Sequence, residues 1–163
     1  MLVGIISDSH DNLAALEAAV KLLNREGVEQ VLHAGDIVAP FAAARLARLR
    51  AKLTCVYGNN DGERALLARR LEEMGASISD FAELELAQRR IALYHGTIAE
   101  VTSALVESGR YDVVVTGHTH RSEVKHRGRC LSVNPGELCG YLTGRRSLCL
   151  LDLGTMKVEV LEV

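Results

Sequence analysis

Seven side chains with the chemistry of metal ligands stand directly after short apolar runs. The run at 2–6 precedes Ser7-Asp8-Ser9-His10, that at 31–34 precedes Gly35-Asp36, and that at 53–57 precedes Gly58-Asn59-Asn60-Asp61. The run at 91–94 precedes His95-Gly96, and that at 113–116 precedes Gly117-His118-Thr119-His120. Imidazole nitrogens combined with carboxylate and amide oxygens suit divalent transition metals. If the five runs are neighbouring strands pointing the same way, these side chains converge at one sheet edge, where ligands of open α/β sheets bind. The convergence points to a hydrolytic site for two metal ions.

Taken singly, most pieces have a plainer reading. Asp8 also fits a helix cap and His10 a solvated loop, while Asp36 and Asn59 fit turns and His95 fits a strand-end imidazole bonded to backbone. Gly117-His118-Thr119-His120 is more specific, because two imidazoles directly after a buried strand are costly to place without a use. The conjunction decides between the readings: five separate explanations are needed on one side and a single binuclear site on the other. His33 lies inside a run and reads as a core or supporting residue. His126, between Lys125 and Arg127, reads as solvated, and Arg121 reads as an exposed arginine within reach of a substrate phosphate.

The rest of the chain must position those groups. Its 163 residues favour one domain over 1–163, large enough to bury roughly 68–70% of the unfolded surface. Hydrophobic residues at 48% and charged residues at 25% exclude a disordered chain. A net charge of −2 excludes a global positive field for nucleic acid, so a phosphate-bearing partner must be attracted locally. Cys55, Cys130, Cys139 and Cys149 form no CxxC pair and read as reduced core thiols of a cytoplasmic protein; neither a signal peptide nor a membrane span is expected.

Leu13, Leu16, Val20 and Leu23 recur at helical spacing, with Asp11 or Asn12 as N-cap and Gly27 past the end. Pro40 suits the first turn of a second helix carrying Leu46 and Leu49, and Leu67, Leu71 and Met74 mark a third that ends at Gly75. The first half therefore reads βαβαβα, which implies a parallel sheet. In the second half, 82–86 and 90–94 alternate as a hairpin around Gln88-Arg89. Thr97-Ile98-Ala99-Glu100 has capping-box spacing before a helix with Val101 and Leu105 on one face. Short strands follow at 123–126, 129–133, 148–153 and 157–161, with turns at Arg127-Gly128, Asn134-Pro135-Gly136 and Gly154.

The order DxH, GD, GN, a lone His and GHxH, here from Asp8 to His120, closely resembles the calcineurin-like metallophosphoesterases. The short chain and Asn134-Pro135-Gly136 look most like the small YfcE-type phosphodiesterase branch. The resemblance implies an α/β layered fold, with two mixed β-sheets packed together and flanked by helices. It implies one ion on Asp8, His10, Asp36 and His120 and a second on Asp36, Asn59, His95 and His118, with Asp36 bridging. The reaction would be attack on a phosphodiester by a hydroxide bridging the two ions. Two divalent ions, two carboxylates and the hydroxide leave about one net positive charge. Manganese fits an imidazole-rich set best, with iron, zinc or nickel as alternatives.

The resemblance is broken where many relatives place a His after the GN asparagine. This chain has Asn60, which can donate a hydrogen bond but not a proton near neutral pH. Asn59 and Asn60 are candidate catalytic residues, as is Asp61, which either orients its neighbours or shapes a turn. The partner would be a small phosphodiester, and a homo-oligomer is implied by analogy alone. Other readings of the same fold are a phosphomonoesterase or nucleotide hydrolase, or a protein-binding scaffold like the retromer subunit whose site has decayed. The four retained histidines argue against decay.

Overall fold

Residues of the first third recur at two periods, and the computed structural model, which describes residues 1–163, sorts them into strands and helices accordingly. Strand β1 (Leu2–Ile6) leads to helix α1 (Leu13–Glu26). The Asn12 side chain accepts from the Ala15 amide at 3.1 Å as N-cap, and Gly27 closes the helix at φ 68°, a left-handed conformation glycine adopts without penalty. The helix buries Ala15, Leu16, Ala19, Val20 and Leu23 along one stripe. Each fully buried leucine contributes about 1.5–3 kcal/mol.

Next come β2 (Gln30–His33), α2 (Pro40–Ala43) with a 3₁₀ turn at Ala44–Arg48, β3 (Lys52–Val56), α3 (Arg64–Glu72) and β4 (Ser77–Ser79). The remaining elements are β5 (Phe81–Leu86), β6 (Arg89–Tyr94), α4 (Ala99–Glu107), β7 (Val113–Val115), β8 (Ser122–Arg127), β9 (Cys130–Pro135), β10 (Ser147–Asp152) and β11 (Lys157–Glu162). They form a six-stranded sheet, β11-β10-β1-β2-β3-β4, and a five-stranded sheet, β5-β6-β7-β9-β8. Strands β1 to β4 are mutually parallel, as are β6, β7 and β9, while the outer pairings β1–β10, β10–β11, β5–β6 and β8–β9 are antiparallel. Both sheets are mixed, as the sequence resemblance implies.

Strand periodicity explains the layering. Val3, Ile5, Leu32, Ala34 and Val56 from one sheet meet Ile91, Leu93, Val113, Val115 and Val133 from the other in a shared core. The opposite face of the first sheet packs on Leu16, Leu23, Leu46, Leu67 and Leu71 from the helices. Beneath the second sheet, Ala92, Tyr111, Val114 and Cys130 receive Leu105 and Val106 of α4. All four cysteines are free and buried. No helix is long and apolar enough to cross a membrane.

Several details differ from the sequence reading; the hairpin turns at Ala87-Gln88 rather than Gln88-Arg89, and Leu49 lies beyond the second helix, which gives way to the 3₁₀ turn at Ala44–Arg48. The five ligand-bearing runs do not share one sheet edge: three end on the first sheet and two on the second, so the site spans both. Strand β4 has no counterpart among the periodic runs of the sequence, because Ser77-Ile78-Ser79 is too short to show a period. The capping box does not form: Ile98 is the N-cap, without a side-chain bond, and Val101 is exposed. Finally, Asn134-Pro135-Gly136 does not turn directly into the next strand, since Pro135 closes β9 and residues 136–146 form a loop crossing to β10 in the other sheet.

A candidate metal centre between the two sheets

The strand pairing extends into the loops that follow it. The amides of Asp8 and His10 donate to the carbonyls of Gly35 and Asp36, both at 3.0 Å, and the Gly117 amide donates to the His95 carbonyl at 2.8 Å. The His118 amide then donates to Asp8 Oδ2 at 3.0 Å, tying the loop after β7 to the loop after β1. Such tight turning places Asp8, His10, Asp36, His118 and His120 at φ between 39° and 67°. Left-handed backbone costs about 1–2 kcal/mol per non-glycine residue, and such strain concentrates at functional sites.

The glycines of the motifs face one another's ligands. A Cβ on Gly58 would strike Asp36, one on Gly117 would strike Ser7 and Asp8, and one on Gly35 would meet His95 Nδ1 at 2.6 Å. Gly35, Gly58 and Gly117 are therefore the space that candidate ligands of other motifs occupy.

Two groups of ligand atoms result. Asp8, His10 and His120 form one, and Asp8, Asp36 and His95 the other, with the atoms of each within 4.8 Å of one another. Asp8 Oδ1 lies 3.5 Å from His120 Nε2 and 3.9 Å from His10 Nε2, while Asp36 Oδ2 lies 3.5 Å from His10 Nε2 and 3.4 Å from His95 Nε2. Asp8 is 0% exposed, yet its Oδ1 has no hydrogen-bond partner, and His10 Nε2 is likewise buried and unpartnered. Orphaned buried polar atoms are rare, and two of them on neighbouring candidate ligands are what a site for an ion would present. Nδ1 of His95 bonds the Ala34 carbonyl at 2.6 Å and so carries a proton, while Nε2 faces Asn59 Oδ1 at 3.1 Å and Asp36 Oδ2 at 3.4 Å. Lone pairs facing oxygens need a proton or a cation between them, and the donor set fits a divalent metal.

The electrostatics follow from the same contacts. Burial pushes the Asp8 carboxyl above its usual pKa. Burial acts the same way on Asp36, but bonds from His95 and Asn60 more than offset it and hold Asp36 below the carboxylate range. Burial opposes charge on His95, whereas Asp36 and the Ala34 carbonyl draw its pKa upward on balance. His33 is fully buried, and burial depresses its pKa to about 3. It accepts the Gly35 amide at Nδ1 (3.2 Å), so Nε2 carries the proton toward Ser9 Oγ at 3.1 Å.

His118 packs its ring edge on His95, with centroids 5.2 Å apart, and stands outside both ligand groups. Asn60 is exposed and donates twice to Asp36, from its backbone to Oδ1 at 2.8 Å and from Nδ2 to Oδ2 at 2.7 Å. Asp61 is buried and accepts the amides of Gly58 (2.7 Å), Val38 (2.7 Å) and Asp36 (3.1 Å). It thereby orients the Asp36 loop and holds Val38 at φ 84°. Arg121 is exposed and has no carboxylate partner; with His120, Thr143 and Arg145 it lines a cavity of about 440 Å³ beside the site. His126 is exposed on β8.

Two supporting residues escaped sequence reasoning. Asn134, which the sequence offers as a turn residue and a mark of the YfcE-type branch, donates to the Gly117 carbonyl at 2.7 Å and to Thr119 Oγ1 at 3.1 Å, bracing the loop that carries both histidines. Glu137, which falls in no sequence motif, is 0% exposed and accepts from His120 Nδ1 at 2.7 Å. Its one signal is an acid standing beside the apolar pair Leu138-Cys139.

Interlocked left-handed loops over two packed mixed sheets, with a carboxylate and imidazole cluster between them, define a metallophosphoesterase. A family model described as the calcineurin-like phosphoesterase superfamily domain matches residues 1–156, and the chain belongs to that family. Phosphodiesterase MJ0936 of Methanocaldococcus jannaschii is 39% identical over 165 residues, covering 100% of this chain and 98% of that one. Phosphodiesterase YfcE of Escherichia coli is 28% identical over 150 residues, covering 81% and 76%. Among solved structures, a novel archaeal phosphodiesterase superposes with a TM-score of 0.97 at 37% identity over the full length of both chains. Vps29 of Entamoeba histolytica with zinc superposes at 0.74 and 22% identity, covering 100% and 98%, and shares the fold.

Proposed function

We propose that the protein is a phosphodiesterase that hydrolyses small phosphodiesters with two divalent ions. One ion would sit on Asp8, His10, Asp36 and His120, the other on Asp36, Asn59, His95 and His118. The observation that carries this reading is the pair of buried, unpartnered atoms Asp8 Oδ1 and His10 Nε2, facing the lone pairs of neighbouring ligands. The phosphodiesterase names of MJ0936 and of the archaeal structure support the substrate class. When bound, the ions would supply a hydroxide nucleophile at neutral pH and neutralise charge developing on the phosphoryl group.

The chain's own residues divide the remaining work. Asp36 would bridge the two ions, since its Oδ2 lies 3.5 Å from His10 Nε2 in one ligand group and 3.4 Å from His95 Nε2 in the other, and the Asn60 bonds would hold its carboxylate in that position. Asn60, exposed beside Asp36, would turn its amide to a phosphoryl oxygen without supplying a proton. Arg121 would draw the anionic substrate toward His120, a local attraction suited to a chain of net charge −2. Nucleic acid is disfavoured by that same charge. Manganese suits the donor set best, with iron, zinc or nickel as alternatives, and the buried free thiols suit a cytoplasmic setting.

A panel of aryl diesters, cyclic nucleotides, monoesters and nucleic acid, run with each metal, tests the proposal. Diester turnover abolished by chelator and restored by manganese better than by calcium is expected. Turnover without metal would overturn it. Preference for monoesters would favour a monoesterase, and bound metal with no turnover would favour the scaffold role, for which only the shared fold of Vps29 speaks.

A further inference from the structure

We propose that Glu137 is a positioning residue of the metal centre, locking His120 in the tautomer that presents Nε2 to the ion shared with Asp8. The inference rests on the two-ion reading above. A neutral imidazole carries one proton, and the nitrogen within hydrogen-bond distance of a carboxylate bears it. Glu137 Oε2 lies 2.7 Å from His120 Nδ1, so the lone pair is left on Nε2, which faces Asp8 Oδ1 at 3.5 Å. The His120 ring also stacks on His10, with centroids 5.2 Å apart, so rotating it would disturb a second ligand.

Glu137 is itself immobilised. Oε1 accepts from the Leu142 amide (3.0 Å), the Thr143 amide (2.5 Å) and Thr143 Oγ1 (2.7 Å), while Oε2 also accepts from Cys139 Sγ (3.2 Å). A carboxylate needed only to tie the 136–146 loop would not have to be wholly buried against a ligand ring. His120, Glu137 and Cys139 also have the spacing of a cation cluster. However, the His120 and Cys139 protons there already point at Glu137, whereas the unpartnered atoms lie on the Nε2 side. The ion therefore belongs on the Nε2 side, with Glu137 behind the ring.

Carboxylates behind metal-bound histidines raise ligand basicity, and removing one typically weakens metal affinity about 10–100-fold. Glu137 also adds a buried negative charge to the centre, taking the loaded site from about one positive charge to about zero. Attraction of an anionic substrate then falls to Arg121 rather than to the ions.

The test combines ¹⁵N-histidine NMR of the metal-free protein at pH 8 with calorimetric titration by Mn²⁺ of the wild type, Glu137→Gln and Glu137→Ala. The wild type should show His120 protonated at Nδ1. Glu137→Ala should mix the tautomers and weaken one ion about 10–100-fold, leaving the other within about threefold. Glu137→Gln, which keeps one oxygen for the ring, should fall between. Should the alanine variant not fold, the wild-type tautomer and the glutamine variant decide. A wild-type proton on Nε2, or unchanged affinities in the variants, would overturn the role of Glu137 while leaving the two-ion reading standing. A wild-type protein that takes up no ion would overturn both.

Discussion

Gly58 stands directly behind the carboxylate of Asp36, so close that a single methyl group on its α-carbon would overlap both Oδ1 and the Asp36 amide. Neither can retreat cheaply, because the Asp36 and Gly58 amides both bond Asp61 and the Asp36 carboxylate is held by Asn60. The glycine of the GN motif thus fixes the position of the Asp36 carboxylate without a side chain of its own.

Gly58→Ala should therefore weaken Mn²⁺ binding by at least tenfold and lower stability by about 1–3 kcal/mol, the usual cost of overpacking. Calorimetric metal titration and urea unfolding measure the two effects. Gly62→Ala, four residues on and with nothing near its α-carbon, should leave both unchanged.

His33 predicts an acid-sensitive fold. Its native pKa of about 3 lies below the value of 6.5 for an unperturbed histidine, so the native state refuses a proton that the unfolded state accepts. Its contribution to stability is accordingly undiminished above about pH 6.5 and lost progressively as pH falls toward 3, by up to about 1.4 kcal/mol per pH unit. Urea unfolding of chelated protein at pH 7, 6 and 5 should show a steeper decline in the wild type than in His33→Gln. Parallel declines would mean that other groups dominate.

Asn60 predicts a dependence on the leaving group. Without a proton donor beside the departing oxygen, turnover of aryl phosphodiesters should fall steeply as leaving-group pKa rises. General acid catalysis is typically worth ~10²–10⁴-fold, so Asn60→His should speed poor substrates by part of that range and good ones far less. The measurement is a series of aryl diesters at saturating metal; a flat dependence in the unmodified protein would mean that another group already acts as the acid.

The legible parts of this protein were those written as local pattern. Ligands placed directly after apolar runs could be found because a strand ends where its burial ends, and the caps at Asn12 and Gly27 act within one helical turn. What pattern does not carry is partnership between distant segments. Nothing at 91–94 or 113–116 says that these strands belong to a different sheet from 2–6. Glu137 follows a turn rather than an apolar run, and its meaning lies in a contact with His120 seventeen residues away. The sequence reading of Thr97-Ile98-Ala99-Glu100 failed for a related reason: capping spacing is permissive, and α4 starts instead at Ala99. Asn60 was recognised as a donor, but its present acceptor, Asp36, became visible only in three dimensions.

The central claim is that Asp36 holds two ions at once, and the most direct measurement is metal content and diester turnover determined together on the wild type and Asp36→Ala, each reconstituted with Mn²⁺ and checked for folding. The wild type should retain two ions per chain and hydrolyse bis(4-nitrophenyl) phosphate. Asp36→Ala should fold, lose ions from both positions and lose turnover. Two retained ions with near-normal turnover in Asp36→Ala would contradict the account.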